Sequence, residues 1–258
     1  MDIYATVLAV LLIYNNSLVL LGPSAWGAGL GFRKAYLITL AGITLGAATS
    51  PLRPIQLGPA EFAYLTALYV SLTLLKISVP LAVAAYSITG LSAHSALLWI
   101  TSPLFAAVTY PLCKLLKGGR RLTAPSLFLT AYLFGLNNVA LFAKEPSSTL
   151  VATAAGAYLG LSLSKWVLDL AAVRPRTALA VNLTVAAAAL AGALTHVPIS
   201  FTLVAYSSLL AASSAYEIRI VKIERFVRAY LGVVAALASA LIFPFLKSQL
   251  LRLALPNA

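Results

Sequence analysis

Two asparagine pairs stand inside apolar runs: Asn15–Asn16 in LIYNNSLVLLG and Asn137–Asn138 in FGLNNVALFA. The chain has six asparagines, and four of them stand in these two pairs. An amide buried without partners costs roughly a few kcal/mol in an apolar medium. Its NH2 group can donate to an anion, and its carbonyl oxygen can accept from a donor or ligate a cation. Neighbouring residues on a helix point about 100° apart, so one helix interface cannot readily satisfy both members of a pair. A break in the helix can, because it frees backbone groups and turns both side chains toward a shared cavity. We therefore take Asn15, Asn16, Asn137 and Asn138 as candidate substrate-binding residues.

Hydroxyls supply a second candidate group. Pro198 is followed by Ser200 and Thr202, which fits the start of a helix. Such a start offers free N–H groups and a partial positive charge, a natural anion site. The related stretch at Pro80 carries Ala82 and Ala84 at the matching positions, while Tyr86–Ser87 and Tyr206–Ser207 occur in both. The two histidines, His94 and His196, fall near segment ends, where an interfacial role is expected. Cys113 is the only cysteine, which excludes an internal disulfide and makes thiolate metal chemistry a poor expectation. The six acids (Asp2, Glu61, Glu145, Asp169, Glu217 and Glu224) all lie at segment ends or in loops. No carboxylate is expected mid-membrane, which argues against an acid-based proton relay and against a membrane enzyme.

The elements that must position these groups are set by composition. The chain is 61% hydrophobic and 9% charged, against about half and about a quarter in soluble domains. That imbalance predicts an all-α integral membrane protein. Ten apolar segments can be marked: 3–22, 35–50, 62–75, 77–91 and 96–116, then 127–143, 149–166, 178–194, 197–215 and 226–246. A full crossing takes about 20 residues, and the segments at Pro80 and Pro198 fit broken or re-entrant elements better than plain helices. Asp2 and the lack of a basic N-terminal stretch predict that the first segment is retained rather than cleaved. The net charge of +12 fits loops placed by membrane topology better than nucleic-acid binding. With the N-terminus outside, fourteen of the eighteen Lys and Arg residues fall on the inner side, among them Lys117, Lys165 and Arg219. This predicts both termini outside a cell membrane.

The chain also repeats. Asn15 and Asn137 are 122 positions apart, and VPLAVAAYS at 79–87 resembles VPISFTLVAYS at 197–207 at an offset of 118. Five crossings per half would leave the second copy inverted, the architecture of many secondary transporters. We expect a first repeat at 1–116, a basic cytosolic linker at 117–125 and a second repeat at 126–258.

The paired NN elements, the paired VP elements and LLWITSPLFAAVTYPL at 97–112 together resemble the inorganic phosphate transporter (PiT) family. That family carries a G-A-N-D-V-A-N type motif early in each half and a P-V-S-T-T-H type motif late in each half. A helix of the W-x-x-S-P-L type follows, matched here by Trp99, Ser102, Pro103 and Leu104. The resemblance implies an alternating-access symporter for phosphate or a related oxyanion, commonly sodium-coupled. It implies that Asn15, Asn16, Asn137 and Asn138, with Ser200 and Thr202, line the anion and cation sites, sodium lying near Asn16 and Asn138. The bilayer and a homo-oligomer are the further partners expected. The sequence departs from the family at Asn16 and Asn138, where the family has Asp. It departs again at Val19 and Leu141, which replace the later Asn, at Leu203, which replaces the loop histidine, and at Ala82, which replaces a serine. Amides can donate to a fully ionised oxyanion without repelling it. Phosphate, sulfate or another anion thus stays open, as does a transporter fold that has become a binding or assembly subunit, or a carrier of uncharged or cationic solutes.

Overall fold

The structure is a computed structural model and describes residues 2–116, 119–160, 173–218 and 222–254. Lys117, Lys165 and Arg219, part of the basic linker and the end of segment 149–166 lie outside the described residues. All regular structure among the described residues is helical. α1 spans Ile3–Leu21 and continues into a π-helical stretch at Gly22–Gly27. α2 (Phe32–Ala48), α3 (Pro59–Leu74), the short α4 (Leu81–Gly90) and α5 (Ala93–Thr101) follow. A 3-10 stretch at Ser102–Val108 links α5 to α6 (Thr109–Leu115). The second half contains α7 (Thr123–Asn137), α8 (Pro146–Leu159), α9 (Pro175–Thr195), α10 (Phe201–Tyr216) and α11 (Ile223–Ala254).

Among the described residues, four stretches are long and apolar enough to cross a membrane: Ala93–Leu115, Arg120–Leu141, Pro175–Thr195 and Ile223–Ser248. Ile3–Ser17 and Val19–Gly27 meet at 49° and make a fifth if taken as one broken span. The bend has a local cause. The Asn16 Nδ2 and Ser17 Oγ groups donate to the carbonyls of Leu12 and Ile13, and side chains that compete for helix carbonyls bend helices. α4, at ten residues, is too short for a crossing. It starts directly after Pro80, in keeping with the broken element expected there.

Close glycine contacts set the packing. α2 carries Thr39-x-x-Gly42-x-x-x-Gly46, and α8 carries Thr153-x-x-Gly156-x-x-x-Gly160 at a constant offset of 114. Gly42 and Gly46 bring α2 against α7, where a Cβ on Gly46 would lie 1.9 Å from the Tyr132 carbonyl oxygen. Gly156 and Gly160 bring α8 against α1, where a Cβ on Gly160 would lie 2.3 Å from Ser17 Oγ and 3.0 Å from the Tyr14 carbonyl oxygen. Without a side chain the backbones approach closely and gain van der Waals contact, the usual means of packing helices in lipid. α4 packs on α11, and α10 packs on the α5–α6 stretch. The crossed pairs are thus α1 with α8, α2 with α7, α4 with α11 and the α5–α6 stretch with α10, whereas α9 packs mainly on α7 and α10.

The turns before the two proline elements also match. α3 closes through Lys76 at φ 57°, and α9 closes through His196 at φ 56°. Behind them, Ile77 N–H donates to the Leu72 carbonyl and Val197 N–H to the Gly192 carbonyl, both at 2.9 Å. Both are left-handed helix closures of the Schellman kind on non-glycine residues.

Candidate functional site

The asparagine pairs grip the proline elements. Asn15 on α1 donates through Nδ2 to the Val79 carbonyl at 2.9 Å. Asn137, the last residue of α7, donates to the Val197 carbonyl at the same distance. Asn137 also accepts from the Ile199 N–H at 2.9 Å, so its amide bridges Val197 and Ile199 in the chain ahead of α10. Asn138 donates to the Ile199 carbonyl at 2.8 Å. Helix α7 ends at this pair, and a 3-10 turn at Val139–Leu141 follows. At Asn137 and Asn138 the α-helix thus passes into 3-10 geometry, within a stretch that runs on as one helix over Arg120–Leu141.

The pairs from the two halves approach one element. Asn16 Oδ1 accepts from the Thr202 hydroxyl at 3.3 Å in the first turn of α10, while Asn138 holds Ile199 just ahead of it. Ser200 is the N-cap residue and makes no side-chain cap bond. Four of the six candidate residues, Asn16, Asn137, Asn138 and Thr202, are therefore tied to one another or to the 197–202 segment, Ser200 belongs to that segment, and Asn15 holds its counterpart at Val79. All but Asn15 are buried. Asn138 Oδ1 is buried without a partner, an unused acceptor at the centre of the fold.

A cavity of about 410 Å³ opens next to Asn15. Tyr14, Tyr69, Thr73 and Tyr206 line its sides. Among the described residues, Lys76, Lys222, Arg225 and Arg228 bring four positive charges to the lining, and Glu224 is its single acid. Glu224 pairs with Arg228 one helical turn away. The Arg225 guanidinium engages the Tyr206 hydroxyl. Lys76 sits there because the left-handed closure of α3 turns the chain back at that point. Cationic groups around a concave, low-dielectric wall focus field and raise the local concentration of anions. Phenol and hydroxyl groups add donors of the kind that orient an oxyanion.

The sequence reading missed this lining. Its basic residues look like topology signals, and only the fold brings α3 and the start of α11 together. A second buried network was also missed. Asn182 on α9 donates to Ser24 Oγ at 3.0 Å and to Ser126 Oγ at 3.1 Å. The π-helical stretch carries Ser24 into that bond, and Thr130 donates to the Asn182 carbonyl. Asn182 is a lone amide in an alanine-rich run, and nothing in its spacing marks it.

Trp99 also holds the Val-Pro element in the second half. It is fully buried, and its Nε1 donates to the Pro198 carbonyl at 2.6 Å. Tyr86 meets its ring edge-on at 6.0 Å.

Comparison with known protein families, curated proteins and solved structures finds no match.

Proposed function

We propose that the protein is a multi-pass membrane permease for phosphate or a related tetrahedral oxyanion, built as two inverted repeats of five segments. The observation that carries this reading is the four-cation cavity that ends on Asn15, the amide that holds the first Val-Pro element. The repeat is supported by matched details. Asn15–Val79 pairs with Asn137–Val197, the glycine motif of α2 with that of α8, and the closure at Lys76 with that at His196. The same distribution of Lys and Arg that predicts both termini outside opens the cavity to the cytosol. An anion drawn in by Lys76, Lys222 and the α11 arginines would move toward Asn15 and Asn16. There it would meet the Thr202 hydroxyl and the first-turn N–H groups of α10. Release of the Trp99–Pro198 contact would alternate access. Asn16 Oδ1 and the unused Asn138 Oδ1 are oxygen donors of the kind a hard cation such as sodium takes, and coupling through them belongs to the same proposal.

A thermal-shift screen of the purified chain tests the reading. Phosphate or another oxyanion raises Tm, since a ligand that binds only the folded state stabilises it. Sugars and amines do not. Stabilisation by a sugar or amine and by no oxyanion would contradict it.

A second reading has one observation in its favour. Each of the four amide nitrogens already donates to a backbone carbonyl. In this reading the pairs fasten a transporter-like fold that serves as a binding or assembly subunit. Asn16→Ala combined with Asn138→Ala separates the two: a subunit keeps its partner, whereas a permease loses oxyanion binding.

A further inference from the structure

We infer that Glu224 makes the cavity prefer an oxyanion that carries a proton, hydrogen phosphate over sulfate. The inference rests on the anion reading above and narrows it to a substrate class. Four cations and several hydroxyl donors would accept any polyanion, because a fully ionised sulfate presents acceptors on every face. Glu224 is the exception in the lining. An ionised carboxylate only accepts. It repels an anion with no hydrogen to give, and it receives a hydrogen bond from one that bears an O–H.

The geometry leaves Glu224 able to act this way. It lies in the first turn of α11, and one of its oxygens is held by Arg228. The side chain is 60% exposed, and a carboxylate has about four lone-pair directions, so acceptor capacity remains for a ligand. Arg228 orients the group without removing its charge. Among the described acids, Glu61 is bound to Lys247 at the far end of α11, and the cavity lining includes neither it nor Asp2, Glu145 or Glu217. An acid in the first turn also suits the helix dipole, but that role takes no account of which anion is present.

Calorimetric titration of the full chain tests the inference, in nanodiscs of phosphatidylcholine alone so that no anionic headgroup competes. Inorganic phosphate should bind roughly tenfold more tightly than sulfate, the scale of one charge-assisted hydrogen bond at an exposed site. In Glu224→Gln the ratio should fall to near one, with phosphate weaker and sulfate stronger. An unchanged ratio in a variant that still binds phosphate overturns the role of Glu224 and leaves the anion reading standing. Binding of neither ion to the folded wild-type protein overturns both. Should the variant not fold, competition on the wild type decides. Arsenate, which also carries a proton, should displace phosphate with similar strength, while selenate and sulfate should not. Equal displacement by all three overturns the inference.

Discussion

Truncating Asn137 should cost more than truncating Asn15. Asn137 is fully buried and makes two hydrogen bonds to the chain ahead of α10, and Asn137→Ala strands a carbonyl and an N–H. Asn15 makes one bond and is half-buried. We expect a loss of about 2 kcal/mol for Asn137→Ala and about 0.5–1 kcal/mol for Asn15→Ala, measured by denaturant unfolding in micelles. At this scale the sequence was informative about where, and less so about what. Two amides together in an oily run marked a special place, because an apolar environment punishes unpaired amides. That their nitrogens would be taken by Val79, Leu12, Val197 and Ile199 was not legible. Val79, Val197 and Ile199 lie on segments beside the prolines that only the fold brings close, whereas Leu12 is one turn back on α1 itself. The numbering offset misled slightly as well. Asn15 and Asn137 are 122 apart, whereas Tyr14 and Tyr132, which both meet glycines of the partner helix, are 118 apart. The amide pairs thus sit about one helical turn out of step with the packing repeat.

At the scale of elements, the glycine motifs carry the strongest prediction. Gly46→Ala drives a methyl into the Tyr132 carbonyl, a backbone atom that cannot step aside, and should cost about 3 kcal/mol. Gly160→Ala meets the Ser17 Oγ at 2.3 Å and the Ser17 Cβ, which cannot rotate away, at 2.4 Å, but no backbone atom closer than the Tyr14 carbonyl oxygen at 3.0 Å, and should cost somewhat less. Thermal unfolding of the two variants side by side checks the order. The start of α3 and the C-terminal part of α11 are joined by Lys247, which donates to Glu61 at 2.7 Å. The Lys247 ammonium holds the Glu61 carboxyl below its ordinary value of 4.5. The stability this pair adds is present above that ordinary value and is lost as pH falls through the lowered one. The Lys247 side chain is 45% exposed, so we expect no more than about 1 kcal/mol. Glu61→Gln should remove that increment at neutral pH and leave the wild type and variant equally stable in acid. Helix positions were largely legible, since the apolar runs and the prolines at 59, 80, 146, 175 and 198 mark most starts. The T-x-x-G-x-x-x-G repeat was present in the sequence and passed unread, because a small-residue pattern is hard to distinguish from an alanine-rich background.

For the whole molecule, composition was enough for an all-helical chain with several helices able to cross a membrane. The number of crossings was not legible, because α2, α3, α8 and α10 are each shorter than about 20 residues over the described stretch. The cavity was invisible for a different reason: Lys76 and Arg225 are far apart in sequence, and both read as ordinary loop charges. Its orientation can be checked with Thr73→Cys in a Cys113→Ser background. A membrane-impermeant maleimide should label it in inside-out vesicles and not in right-side-out ones, and phosphate should slow the labelling. The central claim, that this cavity feeds an oxyanion pathway, is tested most directly by radiolabelled phosphate and sulfate uptake into proteoliposomes, with and without a sodium gradient. The account predicts saturable uptake, phosphate above sulfate, largely abolished by Lys76→Glu combined with Arg225→Glu. Folded protein that shows no saturable uptake of either anion would contradict it.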